Sequence, residues 1–326
     1  MTDHIGPVLI TGSIATDHLM TFPGRFADQL IAEKLDQVSL SFLVDDLTVR
    51  DGGVAANIAY GMARLGGRPL LVGAAGADFD DGYRNRLELS GVCTEHVHIS
   101  TTQHTARFVC TTDLDNCQIA SFYAGAMGEA ASIDLDVIGT AVGNPRLVLV
   151  GPDQPEAMIR HTDTCRRRGW TFAADPSQQL ARMNAAQLLD FITGAAFLFS
   201  NAYEFELLLA KTGLSTADVV HRTATVVTTM GSSGVRIADR TGSTTIPAHP
   251  VSAVVDPTGA GDAFRAGFLT AVLHGATPAD AATLGCRLAA LVLRSHGTQE
   301  YDSLDLQLPP SSHQARGWTR SLGTAS

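Results

Sequence analysis

The stretch Asp256-Pro-Thr-Gly-Ala-Gly-Asp-Ala-Phe-Arg-Ala-Gly-Phe268 decides how this chain is read. A β-branched run, Val251 to Val255, precedes it, and an apolar run, Ala263 to Leu273, follows it. The pattern predicts a strand, a glycine-broken turn and a helix N-terminus. The first N–H groups of a helix have no intrahelical acceptor, so such a turn is a seat for an anion. A carboxylate in that seat would repel phosphate unless it served another purpose. Asp262, on the expected first helical turn, is placed to take a proton from a hydroxyl. The amides of Gly259, Ala260 and Gly261 would then hold the charge that develops on a phosphoryl group under attack. The bland alternative is an ordinary strand–helix turn. It needs glycine only where φ is positive and has no use for aspartate at both ends.

Outward from this turn the chain alternates. Val8-Leu-Ile10 reads as a strand ended by Thr11-Gly12-Ser13. Residues 38–50 alternate moderately and predict strands with a turn at Asp45-Asp46. Gly52-Gly53 opens a helix from Val54 to Leu65, followed by a strand at 70–72 and a helix at 83–89. Two strand candidates, 105–111 and 118–123, are joined by a hairpin turn at Asp113-Leu-Asp-Asn116. From Leu147 onward, strands at 147–151, 171–174, 196–199, 225–229 and 234–238 alternate with helices at 155–168, 178–193, 203–210 and 215–222. Helices at 263–274 and 278–293 complete the pattern.

Such alternation predicts a parallel sheet with helices on both faces. The segments at about 13–22, 38–50 and 104–124 break it and predict a small separate sheet. One α/β domain is expected over residues 1–308, with the polar stretch 309–326 as an irregular tail. Open parallel sheets bind ligands beyond the carboxyl ends of their strands. Gly12, Asp17, Gly151, Asp175, Asn201, Gly231 and Asp256 all follow strands and are expected on that edge.

Composition narrows the chemistry. Only 17% of the 326 residues are charged and 45% are hydrophobic, enough for a large core. A net charge of −10 argues against nucleic acid or an anionic membrane as the main partner. No apolar run approaches the roughly 18 residues of a membrane-spanning helix, and residues 1–7 lack the basic and apolar blocks of a signal peptide. Five cysteines without a C-x-x-C pair suggest neither a disulfide framework nor a zinc site, and a reducing cytoplasm is the simple expectation. Lysine occurs only as Lys34 and Lys211, neither at the end of a G-x-x-x-x-G run, so a Walker-type phosphate loop is excluded. Phosphate chemistry must rest on backbone amides, arginine or metal.

The 256–268 stretch resembles the C-terminal signature of the ribokinase (PfkB) family of carbohydrate and nucleoside kinases. Gly52-Gly53-Val-Ala-Ala-Asn57 is similar to that family's N-terminal Gly-Gly-x-x-x-Asn. The resemblance implies a ribokinase-like three-layer α/β/α sandwich with a small β-sheet lid. It makes Asp262 the general base and Gly259, Ala260 and Gly261 the anion hole. Asn201-Ala-Tyr-Glu204 resembles the family's Asn-x-x-Glu, whose glutamate helps hold Mg²⁺ through water; it also looks like a helix N-cap with an acid in the first turn, and both can hold. Thr228-Thr-Met-Gly231-Ser-Ser-Gly234 resembles the strand–glycine turn beside the nucleotide phosphates, or a plain hairpin loop. Gly12 to Asp17 resembles the first loop, whose aspartate binds two sugar hydroxyls, although an aspartate there can equally cap a turn. Asp256 is expected either to orient the turn or, as the resemblance implies, to lie near a monovalent cation such as K⁺, with Ser295-His-Gly297-Thr-Gln as the other half of that site.

Five stretches resemble actinobacterial, mycobacterial-type adenosine kinases: 12–20, 39–47, 104–108, 118–122 and 175–182. There the counterparts of Phe108, Gln178 and Gln179 lie near the purine, and those of Ser13, Asp17, Gly53 and Asn57 near the ribose. Phe108 and Phe122 offer flat apolar faces, and a glutamine amide offers both donor and acceptor to a base edge. Alternatively the phenylalanines pack the small sheet and the glutamines are solvated. The resemblance thus implies phosphorylation of the adenosine 5′-hydroxyl by ATP with Mg²⁺. Other ribokinase-family acceptors (ribose, guanosine, inosine) and a non-catalytic nucleoside sensor are the alternatives. The lid's exposed face and edges predict a homodimer through the lid strands.

Overall fold

The computed structural model describes residues 6–30, 41–303 and 306–308. The first part of the chain forms β1 (Val8–Thr11), β2 (Ala15–Thr21), α1 (Phe26–Gln29), β3 (Asp46–Gly52), α2 (Val54–Arg64), β4 (Leu70–Gly76), α3 (Tyr83–Ser90) and β5 (Val97–Ser100). The middle forms β6 (Ala106–Thr112), β7 (Gln118–Tyr123), α4 (Leu135–Ala141), β8 (Leu147–Val150), α5 (Pro155–Arg168), β9 (Phe172–Ala174), α6 (Ala185–Ile192) and β10 (Phe197–Asn201). The last part forms α7 (Ala202–Thr212), α8 (Thr216–Arg222), β11 (Thr225–Thr229), β12 (Val235–Asp239), β13 (Gly242–Ile246), α9 (Ala260–Leu273) and α10 (Pro278–Val292).

Nine strands make one sheet in the order β13-β12-β11-β10-β9-β8-β1-β4-β5, parallel except for β12 and β13. The apolar runs of the parallel strands are buried on both faces, so alternate residues enter different cores. Ile10, Leu149, Phe197, Phe199 and Val227 pack with α2, α3, α9 and α10. Leu9, Val148, Val150, Leu198 and Val226 pack with α4 to α8. Phe268 of α9 meets Phe197 and Phe199 edge-on, with ring centroids 5.3 and 5.4 Å apart. Contacts of this kind add about 0.5–1.5 kcal/mol each beyond area burial, and they seat α9 on the sheet.

The chain runs from β1 to β4 on one side and from β8 outward on the other. The switch point between β1 and β8 is where such sheets bind ligands. A second sheet, β3-β2-β6-β7, stands beyond that edge as the lid.

Several expectations change. Residues 251–255 form no strand: Val254 and Val255 are exposed, and the run is irregular. The expected 38–50 strands reduce to β3, which begins at Asp46, where a turn was expected. Residues 41–45 are irregular and 38–40 lie outside the described residues. The single helix expected at 178–193 is a 3₁₀ turn, Ser177–Ala181, followed by α6, because Asn184 caps α6 with Gln187 in a reciprocal capping box. β5, α4 and β13 were not anticipated. The 309–326 tail lies outside the described residues.

Candidate active site

The 256–262 turn does start a helix. Gly259 is the N-cap of α9 with φ of 77°, and a Cβ there would lie 2.6 Å from the Thr298 side chain, so only glycine fits. The first-turn amides point away from the helix, Ala260 N–H making only a long 3.4 Å bond to the Pro257 carbonyl. Asp262 follows in the first turn, its Oδ2 accepting a 2.8 Å hydrogen bond from Asn57 Nδ2. Asn57 is buried on the first turn of α2, and its orientation is fixed from behind. Its Oδ1 accepts from Thr298 Oγ1 at 2.8 Å and from Gln299 Nε2 at 2.9 Å. Gln299 Nε2 also donates to Tyr83 Oη at 2.8 Å, and the Tyr83 hydroxyl donates to the Gly52 carbonyl at 2.7 Å. With its oxygen taken, the Asn57 amide can only donate to Asp262. Burial pushes the Asp262 carboxyl up to about 7, although the Asn57 bond opposes this. A base titrating near neutrality is what proton abstraction from a hydroxyl requires.

The lid brings a second set together. Gly53 opens α2 with φ of 94°, and a Cβ there would lie 2.6 Å from both Ser13 O and Ala15 N. The two stems of the lid therefore cross too closely for any side chain. Ser13 Oγ accepts from Val54 N–H at 3.0 Å, capping α2 while its own proton stays free to donate. Across the lid sheet, Arg50, Asp17, Phe108 and Phe122 form one rung: Asp17 pairs with Arg50 and Phe108, and Phe108 with Phe122. In-register residues share a face. Arg50 Nη1 reaches Asp256 Oδ2 at 3.0 Å, which holds this face against the 256–262 turn. Burial pushes Asp17 up to about 6, with Arg50 opposing and Asp256 adding to the shift. Phe108 is half-buried and Phe122 is 50% exposed, so aromatic surface remains open on that face.

On the other side of the turn lies an apolar cleft of about 720 Å³. Its lining includes Pro257, Ala260, Gly261, Phe264, Cys286 and Leu293, together with Gly231 and Gly234. Gly231 and Gly234 have φ of 57° and 92°, and Thr228 is buried at the end of β11. Asn201 and Glu204 form a reciprocal capping box on α7, with Asn201 N–H donating to Glu204 Oε2 at 2.7 Å. Burial raises the Glu204 pKa. Among the described residues no group of three or more His, Cys, Asp or Glu could cage a metal ion. One half-buried carboxylate beside a phosphate seat fits Mg²⁺, which is usually held by one or two carboxylates together with substrate phosphates and water. Asp256 is different. Its Oδ2 already accepts from Arg50 and from Gly297 N–H at 3.3 Å, and its Oδ1 from Thr258 N–H at 2.9 Å. Burial alone would raise this carboxyl, but those bonds hold it below its ordinary range. A carboxylate so occupied, with a guanidinium beside it, does not fit a second monovalent cation.

Of the two glutamines, Gln179 is buried, with an Oε1 that meets no protein donor, whereas Gln178 is exposed and accepts from Ser177 Oγ at 2.7 Å. Both lie beyond the carboxyl end of β9. The turn that carries them is tied down by Lys211, whose Nζ donates to the carbonyls of Leu180, Ala181 and Met183 at 2.7–2.8 Å. Sequence reasoning passed over Arg265, inside the opening stretch. It is buried against Asp175, donating Nη2 to Oδ1 at 2.8 Å, and it also donates Nη1 to the Gly261 carbonyl at 3.0 Å. Burial works against its charge, but Asp175, and beyond it Asp262 and Glu204, more than restore it. Tyr83, Thr298 and Gln299 were likewise missed as the support of Asn57.

A profile of the pfkB family of carbohydrate kinases matches residues 15–304. The nucleoside kinase of Methanothermobacter thermautotrophicus is 33% identical over 250 residues, covering 76% of this chain and 80% of that one. The nucleoside kinase of Methanocaldococcus jannaschii is 29% identical over 271 residues, covering 82% and 87%. Among solved structures, the Burkholderia thailandensis nucleoside kinase in complex with inosine superposes with a TM-score of 0.80 at 36% identity, covering 90% of this chain and 92% of that one. The three-layer sandwich with its lid is thus the ribokinase-like fold. With the family signature spanning nearly the whole described chain, the protein belongs to the pfkB family of carbohydrate kinases, phosphotransferases whose acceptor is an alcohol.

Proposed function

We propose that this kinase transfers the γ-phosphoryl group of ATP to the 5′-hydroxyl of a nucleoside, with adenosine preferred. The observation that carries this reading is the Asn57–Asp262 hydrogen bond at 2.8 Å at the mouth of an anion seat, opposite a rung that offers a carboxylate and two aromatic faces. Asp17 and Asn57 hold the ribose hydroxyls, so that the 5′-oxygen points at the phosphoryl group. Asp262, as carboxylate, takes the 5′-hydroxyl proton. The oxygen bonds to the γ-phosphorus as the bond to the bridging oxygen of ADP breaks. Amides at 259–261 take the growing equatorial charge. Mg²⁺, bound with the nucleotide, neutralises phosphate charge, and Glu204 is the residue that would hold it through water. Positioning and electrostatics suffice for such a transfer, which asks little covalent work of the protein. The nucleotide occupies the apolar cleft beyond Gly261. Phe108 and Phe122 flank the purine, and the buried Gln179 amide meets its edge.

A second reading takes inosine or guanosine as the better acceptor. It is supported by the inosine complex of the Burkholderia thailandensis relative. A glutamine amide can present either its oxygen to a 6-amino group or its nitrogen to a 6-oxo group. ADP release with adenosine, inosine, guanosine and ribose as acceptors separates the two. Adenosine is expected to give the highest kcat/KM, and a larger value for a 6-oxo purine would transfer the assignment. Asp262→Asn is expected to bind adenosine nearly normally but to turn over about 10²-fold more slowly or worse. Full activity in that variant would remove the base. Adenosine binding by the wild type without ADP release would point to a sensor.

The same reading has two copies pairing through their lids. The lid face opposite the rung exposes Leu47, Val49 and Ile119, at 56%, 54% and 47%. Apolar side chains on a four-stranded sheet with open edges are what a lid-to-lid contact would cover.

A further inference from the structure

Arg50 stands where a positive charge has a chemical use. Its Nη1 donates to Asp256 Oδ2 at 3.0 Å, and both side chains are about four-fifths buried, at 22% and 19% exposure. On its own sheet Arg50 is the cross-strand partner of Asp17. One guanidinium thus lies between the lid carboxylate and the carboxylate that opens the 256–262 turn. It is also packed on the 295–299 segment: a Cβ added to Gly297 would meet Arg50 Cδ at 3.1 Å. That segment carries Thr298 and Gln299, which hold Asn57. Arg50 therefore ties three pieces together: the lid, the anion-seat turn and the backing of the Asn57–Asp262 pair. Without a cation here, Asp17 and Asp256 would repel one another and the lid would stand off the turn.

We propose that Arg50 is a positioning residue that acts as a tethered cation, making turnover independent of any monovalent metal ion and coupling lid placement to the phosphoryl-transfer turn. Arginine suits the task. Its charge is permanent, and its planar fork loses less freedom per bond than a lysine would. A cavity of about 340 Å³ is lined by Arg50 together with Gly297, Thr298 and Gln299. Once the side chain is shortened, a small cation can reach Asp256 from solvent.

The inference rests on the kinase chemistry proposed above, and its test has one arm that needs no acceptor. ATP-dependent turnover is measured with the best nucleoside in tetramethylammonium chloride and again after replacement by KCl at equal ionic strength. Wild type is expected to change by less than about twofold, whereas Arg50→Met loses about tenfold in kcat in the absence of K⁺ and regains most of it with K⁺ or guanidinium. Arg50→Lys is expected to retain most activity without K⁺. Activation of wild type by K⁺ of about tenfold, or an Arg50→Met enzyme as fast as wild type in tetramethylammonium, overturns the proposal. In the second arm, melting midpoints are compared in the two salts without substrates. Wild type is expected to be indifferent to K⁺, and a K⁺-specific rise in its midpoint overturns the tethered cation whatever the acceptor proves to be. If Arg50→Met fails to fold, the wild-type comparisons decide alone.

Discussion

At the scale of single residues, the proposed function gives two carboxylates, whose titration is displaced by burial, control of the acid limit of activity. In that reading Asp262 must be ionised to accept a proton and Asp17 must be ionised to accept two ribose hydroxyls. Their pKa values lie at about 7 and about 6. The Asp17 charge adds a small part to the Asp262 shift, so the Asp262 value is tied to the ionisation of Asp17. We expect kcat/KM to fall as pH drops below about 7 and to steepen below about 6, with a profile of initial rates as the measurement. A flat profile down to about pH 5 would show that neither group must lose its proton. Stability runs the other way. The folded Asp262 pKa lies above its ordinary 3.8, so the stability it contributes is full at acid pH and is lost as pH rises through about 7. Asp262→Asn lacks that loss and is expected to melt above wild type at about pH 8, with the gap closing toward about pH 4. Arg265 and Asp175 form a buried ion pair. Arg265→Met alone is expected to cost about 3 kcal/mol or more in urea unfolding, and Arg265→Met combined with Asp175→Leu much less, because only the single change strands a charge. Equal losses would mean that the pair carries no mutual dependence.

At the scale of elements, the parts of the chain that sequence made legible are those whose signal is local. The α9 turn, the α2 start and the strand–helix alternation from β8 to β11 follow from glycine placement, capping residues and apolar runs. The failures have non-local causes. Val251–Val255 has strand composition, yet Val255 N–H donates to the Leu293 carbonyl, so the run lies against the end of α10 and borders the cleft instead of joining the sheet. β13 is exposed along most of its length and shows no apolar alternation; only its pairing with β12 makes it a strand. In the site, Asn57 and Asp262 were legible through their motifs. Their partners were not, because Thr298 and Gln299 lie 241 and 242 residues from Asn57 and no spacing rule reaches that far. Lys211 belongs to this class as well, an α7 residue serving the 177–181 turn. Lys211→Met frees three carbonyls and should loosen Gln179. We expect the nucleoside KM to rise about tenfold while the KM for ATP and kcat change little, as steady-state kinetics would register. A rise in both KM values alike would assign Lys211 to overall stability instead.

At the scale of the whole molecule, a net charge of −10 means that an anionic co-substrate is drawn in by local features and not by the overall field. On the proposed reading the α9 first-turn amides supply that local attraction. On the proposed reading the lid determines how copies associate. We expect light scattering to give a dimer at micromolar concentration and Leu47→Glu to give a monomer, since a charge on the outward face has no counterpart across a twofold axis. A wild-type monomer would show that the exposed lid face is simply solvated. The rung across the lid has a further consequence. Phe108 and Phe122 lie within one continuous hairpin, 106–123, closed by the Asp113 carboxylate on the amides of Asp115 and Cys117, while Asp262 and its amides lie on α9. On the proposed reading, the aromatic faces offered to the base and the groups offered to the phosphoryl transfer are thus written in separate stretches of chain. The hairpin, together with the 177–181 turn that carries Gln179, would on that reading form an interchangeable base-reading unit, through which lineages or designers could retarget the enzyme while the transfer machinery stays untouched.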